Sequence, residues 1–208
     1  EKAAGFSRIN PRDKHLIIGI TGGSGSGKTT LLNVIREAGG LVLDCDAIYH
    51  ELLKTDKNML SQIGDRFPDV VDNGVLDRKK LGAIVFADEN ALQDLNRITH
   101  AAVKQAVLSA IPPIPTLVAI DAIGLFEGEL AELCDVTVAV TAPEVDRIRR
   151  LMARDGISEE YAKKRIAAQH PDHWFRSKCD YTLENDGKLD AFATKCVAFL
   201  RNICIMRT

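Results

Sequence analysis

The sequence predicts an α/β fold in three layers, a five-stranded and mostly parallel sheet between helices, on three observations. Short apolar runs alternate with longer stretches of helical periodicity along most of the chain. A glycine-rich turn joins the first of these runs to an amphipathic helix. Carboxylates stand where the second and third runs end, Asp44 and Asp46 at one and Asp121 at the other. Open α/β sheets bind their ligands at that edge.

The first strand is expected over residues 16–20, and the turn and helix that follow it carry the main motif. Gly22-x-x-x-x-Gly27-Lys28-Thr29 is a complete phosphate-binding loop pattern, so the fold is read as a P-loop NTPase fold. The chemistry requires these residue types. Glycines let the backbone N–H groups of Gly22, Gly23, Ser24, Gly25, Ser26 and Gly27 turn inward, forming an anion nest at a helix N-terminus. Lys28 can reach the β- and γ-phosphates, the Thr29 hydroxyl can ligate Mg²⁺, and Thr30 follows in the first helical turn. ATP with Mg²⁺ is the expected ligand pair.

The second strand is expected over 41–45, ending in Asp44-Cys45-Asp46. Two carboxylates there can steer a hydroxyl nucleophile or hold Mg²⁺, while Asp46 could equally cap a helix starting at Ala47. From 47 to 110 helical periodicity dominates and no strong strand is expected. That stretch is too long for one crossover and reads as a helical, substrate-binding insertion. Pro112, Pro113 and Pro115 then break the chain before a third strand over 116–121. Its last residue, Asp121, is placed either for the Mg²⁺-associated Walker-B role or as a plain strand-end turn residue.

A fourth strand over 136–140 is followed by Ala142-Pro143-Glu144, a favourable helix opening. Arg147, Arg150 and Arg154 on that helix share one face, with Lys163, Lys164 and Arg165 beyond Gly156 and the expected N-cap Ser158. They suit either a lid over phosphates, spanning 147–175, or a solvated charged face. His170-x-x-His173 with Cys179 has zinc-like ligands, but Pro171 and the lack of a second cysteine argue against zinc. Trp174 and Phe175 are expected to pack the base of the lid. A weaker fifth strand over 181–183 and a closing helix over 188–205 complete the fold.

The 208 residues suffice for one such domain over 15–208, and the polar, non-periodic residues 1–14 read as an extension outside the core. Hydrophobic residues at 46% and charged residues at 27% exclude a disordered chain. A formal net charge of −2 gives no footprint for nucleic acid or for an anionic membrane surface. No apolar run approaches the ~18 residues of a membrane span, and the N-terminal stretch lacks a secretory core. Five scattered cysteines without a C-x-x-C pair fit reduced thiols, so a cytoplasmic protein is expected. A GTP-dependent switch is disfavoured because no N/T-K-x-D guanine motif follows the later strands.

With these residues in hand, the chain resembles the dephospho-coenzyme A kinase family from about Leu16 to Gly187. The matching segments are GITGGSGSGKTT, the D-x-D of LDCDAIYHELL, LDRKKLGAIVF with the later NRITH, LFE at 125–127, and RRLMARDGISEEYAKKRIAAQ. The resemblance implies ATP-dependent phosphorylation of the ribose 3′-hydroxyl of dephospho-coenzyme A, a small-molecule partner. By position it makes Asp46 the base, Arg150 and Arg154 lid arginines, Gln169 the lid-end glutamine, and Asn185 part of the segment near the adenine pocket. His50 and His100 have no ligand spacing of their own, so any role for them comes from the resemblance. Two departures touch the acceptor side: the family's D-x-P-L-L-F-E reads Asp121-Ala122-Ile123-Gly124-Leu125-Phe126-Glu127, and Ala101 replaces the Pro after His100. Another P-loop small-molecule kinase, or an ATP-binding regulator without catalysis, is the alternative reading.

Overall fold

The computed structural model describes residues 14–206. The extension expected over 1–14 therefore lies almost wholly outside the described residues. Strand β1 (Leu16–Thr21) is nearly all buried because helices cover both faces of the sheet. It leads through the glycine-rich turn into α1 (Lys28–Glu37) and then β2 (Leu41–Asp44). Four helices follow, α2 (Cys45–Thr55), α3 (Lys57–Arg66), α4 (Arg78–Val85) and the long α5 (Glu89–Ala110). The paired strands β3 (Val71–Asp72) and β4 (Val75–Leu76) lie between α3 and α4. The chain returns to the sheet as β5 (Leu117–Asp121) and β6 (Val136–Thr141). Helices α6 (Glu144–Asp155), α7 (Glu159–Ala167) and α8 (Asp172–Lys178), strand β7 (Tyr181–Glu184) and helix α9 (Leu189–Met206) complete it.

The main sheet is five-stranded in the order β2-β5-β1-β6-β7, with every pair parallel. This is the expected architecture. One apolar cluster joins β1 and β6 to α1 and α9, with Ile18, Leu31, Ile35, Val138, Phe192 and Leu200 at its centre. A second covers the opposite face of β5 with Val107, Val118, Ile120 and Leu125. A third, around Met59, Ile63, Phe67, Leu81 and Leu95, belongs to α2–α5 and the small hairpin.

Over 47–110, where no strong strand is expected, the hairpin adds only two strands of two residues each. Asn73 and Gly74 turn it with φ of 49° and 78°, the positive values that a two-residue Asn-Gly turn demands. Capping at β2 is corrected. Helix α2 starts at Cys45, its N-cap is Asp44, whose Oδ1 accepts from the Ala47 N–H at 3.0 Å, and Asp46 lies in the first turn. The cap duty falls on Asp44, so Asp46 is left without it.

Candidate active site

The turn between β1 and α1 is shaped by contacts that admit only glycine. Gly22 has φ 136°, and a Cβ there would lie 2.1 Å from the Val140 carbonyl oxygen. Gly27 has φ 103°, and its Cβ would meet the Asn185 amide at 2.2 Å. Both positions thus combine left-handed backbone with close approach. The resulting loop lines a cavity of about 670 Å³ with residues 23–29, Asp44, Asp46, Asp121, Arg150, Arg154 and Arg165. Gly22 lies behind that lining, where its carbonyl accepts from Lys28 Nζ at 2.9 Å. Thr30, Gly27 and Asn185 line an adjoining cavity with Asp186 and Lys188.

Several side chains fix the loop from behind. Asn185 is buried and donates from Nδ2 to the Ser26 carbonyl at 2.8 Å. Arg150 donates to the carbonyls of Gly25 and Ser26 at 3.1 and 3.3 Å, so it is tied to the loop rather than solvated. Arg154, one turn on, is exposed and paired with its neighbour Asp155 at 2.7 Å. Arg165 on α7 reaches the same Asp155 at 2.8 Å and joins the cavity wall. Sequence spacing carried Arg165 only as one more basic residue, because its approach depends on the fold-back at Gly156 (φ 65°) and the Ser158 cap.

The carboxylates meet at the ends of β2 and β5, where Asp44 and Asp121 are register partners across the two parallel strands. Burial pushes the Asp121 carboxyl up to about 6, with Asp44 and Asp46 adding to the rise and Lys28 opposing it. Its Oδ1 is buried without a hydrogen-bond partner, and so is Ser26 Oγ in the loop. An orphaned acidic oxygen in a cavity that Thr29 and the phosphate loop also line fits a hard divalent cation. Among the described residues no cluster of three or more His, Cys, Asp or Glu side chains could hold a metal by itself. Mg²⁺ suits such a site, since it keeps waters and takes oxygens from phosphates. His170 faces Glu127 at 2.9 Å and stacks on Trp174, and Phe175 is buried at the base of this segment as expected.

A second cavity of about 290 Å³ also has Asp46 in its wall. It is mainly apolar and lined by Cys45, Tyr49, Thr99, His100, Ile123 and Gly124, among others. A further cavity of about 410 Å³ shares His100 with it and is lined by Ala101, Lys104 and Glu127. Both sequence departures therefore border this side. Tyr49, which sequence reading passed over, is half-buried there, and burial raises its phenol above the ordinary value. Asp46 lines both this cavity and the phosphate-loop cavity.

A phosphate loop, carboxylates at the strand ends and a second cavity across Asp46 describe a kinase cleft. The model of the dephospho-CoA kinase family matches residues 16–191 of this chain. The chain belongs to the dephospho-CoA kinase family. The Thermobifida fusca dephospho-CoA kinase is 38% identical over 183 residues, covering 85% of this chain and 92% of that relative. A Thermus thermophilus protein of known crystal structure is 34% identical, with a TM-score of 0.75 over 91% of this chain and 98% of that one. The Campylobacter jejuni dephospho-CoA kinase structure shares the fold at 24% identity and a TM-score of 0.63, over 92% of this chain and 98% of its own. As a member of the dephospho-CoA kinase family the chain is a phosphotransferase, and no helix among its described residues is long and apolar enough to cross a membrane.

Proposed function

We propose that this chain transfers the γ-phosphoryl group of ATP to the ribose 3′-hydroxyl of dephospho-coenzyme A, giving coenzyme A and ADP. The observation that carries this reading is Asp46, standing between the phosphate-loop cavity and the second cavity. ATP phosphates lie in the nest of residues 23–29, and the acceptor lies in the cavity of Tyr49, Thr99 and His100. Asp46 accepts a hydrogen bond from the acceptor hydroxyl, orients its oxygen and takes its proton late in the transfer. Freed of the capping duty that Asp44 performs, its carboxylate is available for that work.

Lys28, Arg154 and Arg165 line the cavity as donors for the transferring group, and Arg150 braces the loop that carries it. Phosphoryl transfer leaves the protein little covalent work, so placement and charge stabilisation supply most of the rate. Thr29 and Asp121 are the residues that would hold Mg²⁺, which when bound neutralises charge on the phosphate oxygens. Residues 47–110 serve as the acceptor-binding insertion and 147–175 as the lid. Beyond Arg147, α6 and α7 bury only Leu151, Ala162 and Ile166, so opening at low cost suits this helix pair, while Arg147 and Gln169 at its base stay on the phosphate loop. Gly27, Thr30 and Asn185 border the adenine pocket. The cytoplasm, where the five free thiols stay reduced, is the proposed compartment.

A panel of acceptors tests the reading: dephospho-coenzyme A, nucleosides, nucleoside monophosphates and small hydroxy acids, each assayed for ATP-dependent ADP formation. The expected result is a kcat/KM for dephospho-coenzyme A at least about a hundredfold above every other acceptor, the discrimination a hydrogen-bonding site can supply. A nucleoside or hydroxy acid at the top of the panel would replace it with another small-molecule kinase.

A further inference from the structure

Residues 169–172, which link α7 to α8 and enter its first turn, touch both sides of the cleft. Gln169 Oε1 accepts from the Ser24 N–H at 2.8 Å, and Gln169 Nε2 donates to the Ser24 hydroxyl at 2.7 Å. Arg147 Nε donates to the Ser24 carbonyl at 3.0 Å. All three polar groups of this loop residue are thus engaged by two side chains. Arg147 is 4% exposed, and its other donors go to Asp172 Oδ1 at 3.0 Å and Gln169 Oε1 at 3.4 Å. A buried guanidinium is held only while its partners stay in place, because losing one leaves an uncompensated charge. The arrangement is consequently fixed.

The next residue points the other way. His170 Nε2 lies 2.9 Å from Glu127 Oε1, and its ring stacks on Trp174 with centroids 3.9 Å apart and 10° between planes. Trp174 also meets Phe126 edge-on at 5.8 Å. Phe126 and Glu127 belong to the loop that leaves β5 at Asp121 and borders the second cavity at Ile123 and Gly124. Two adjacent residues therefore grip the phosphate loop and the acceptor-side loop respectively.

We propose that Gln169 and His170 are positioning residues that hold these two loops at one separation, Gln169 acting on the nucleotide side and His170 on the acceptor side. Arg147, Asp172 and Trp174 keep the pair in place. In-line transfer depends on that separation, since a misplacement of ~1 Å costs about a hundredfold in rate. Replacing exposed His170 opens no core and leaves the melting temperature nearly unchanged, whereas replacing half-buried Gln169, which also faces Arg147, lowers it by about 2–4 °C without unfolding the chain. The acceptor half of this inference rests on the proposed function.

The test uses Gln169→Leu, His170→Phe, which keeps the ring on Trp174, Glu127→Ala and Glu127→Gln. ATP affinity is read by calorimetry without acceptor, and KM for ATP and for dephospho-coenzyme A by steady-state kinetics. Gln169→Leu raises the ATP Kd and KM about tenfold, the factor one net hydrogen bond commonly supplies, and leaves the acceptor KM unchanged. His170→Phe and Glu127→Ala do the reverse, and Glu127→Gln, which keeps an acceptor oxygen, recovers much of the loss. Adding Ser24→Ala to Gln169→Leu costs little more, because the shared hydroxyl bond is already gone. Both KM values moving together in every variant, or neither moving, would overturn the proposal. If the wild type prefers another acceptor, the reading of the function fails. The Gln169 arm still stands or falls on ATP affinity alone.

Discussion

On the proposed donor side the cleft is walled by the phosphate loop, residues 23–29, whose carbonyls Asn185 and Arg150 hold and whose backbone N–H groups, other than those of Ser24 and Ser26 already bonded within the protein, are the proposed phosphate donors. On the acceptor side the wall is made of side chains, Tyr49 from α2, Thr99 and His100 from α5, and Ile123 after β5. A backbone nest accepts any compact polyphosphate, because its donors are the same in every protein. A cavity walled by side chains takes its selectivity from each residue. On the proposed reading the nucleotide is bound by a general device and the acceptor by a particular one. Asp46 sits where the two meet.

The largest effect that could break this division comes from Lys28. Lys28→Ala removes a charge aimed at the transferring group and should lower kcat about a hundredfold to a thousandfold. Its side chain makes one bond, to the Gly22 carbonyl, so the melting temperature should hold and dephospho-coenzyme A should still bind. Loss of acceptor binding in the folded variant would mean that the two sides are not separate.

Asp46→Asn follows, with an expected loss of about a hundredfold in transfer and an unchanged ATP Kd, since general-base work supplies at least that factor. Asp44→Ala serves as the contrast. It should cost about 1 kcal/mol of stability as the lost N-cap of α2. If Asp44→Ala instead removes the transfer step and Asp46→Asn only lowers stability, the two roles are exchanged.

The lid arginines sharpen the comparison further. Arg154→Ala should leave the melting temperature of the free protein nearly unaltered, because its pair with Asp155 is exposed. The rate of transfer should fall about tenfold with the lost charge-assisted contact. Arg150→Ala should instead raise the ATP KM and lower the melting temperature by about 2–4 °C, the shift for ~1 kcal/mol in a chain of this size. Its guanidinium holds two loop carbonyls before any ligand arrives. Lysine at either position should rescue only in part.

The last effect concerns stability and pH. Burial puts the Asp121 carboxyl at about 6 in the fold, against 3.8 for an ordinary solvated aspartate. Between those values the folded chain binds more protons than the unfolded one, so stability falls as pH rises across that window. Asp121→Asn lacks the ionising group. It should match the wild type near pH 4 and exceed it above pH 6 by on the order of 2 kcal/mol, read as melting temperature, while losing turnover. A wild-type advantage at pH 7 in the free protein would contradict the burial of this carboxylate.

The sheet and the phosphate loop were legible in the sequence because each rests on local rules. Buried parallel strands read as apolar runs, and Gly22 and Gly27 are positions where only glycine fits. The hairpin at Asn73-Gly74 had its signal too, but strands of two residues leave no run to notice. Asp44 and Asp46 exchanged the capping role because the helix begins one residue after Asp44, a boundary that composition does not settle. Arg147, Arg150 and Arg154 share a helical face yet meet three surroundings, a buried clamp, a loop brace and open solvent. What surrounds each is set by α8, β7 and the phosphate loop, which lie far away in sequence. Tyr49 was missed for the same reason, since its cavity exists only once α5 and the Asp121 loop close around it.

The central claim is that a general nucleotide site faces a particular acceptor site across Asp46. The most direct measurement is ADP formation by the wild-type chain with and without dephospho-coenzyme A, with the product examined by phosphorus NMR. The account predicts little ADP formation from ATP alone, a rise of about a hundredfold or more when the acceptor is added, and a new phosphomonoester on the ribose 3′-oxygen. ADP formation indifferent to the acceptor, or a phosphoryl group on any other oxygen, would contradict it.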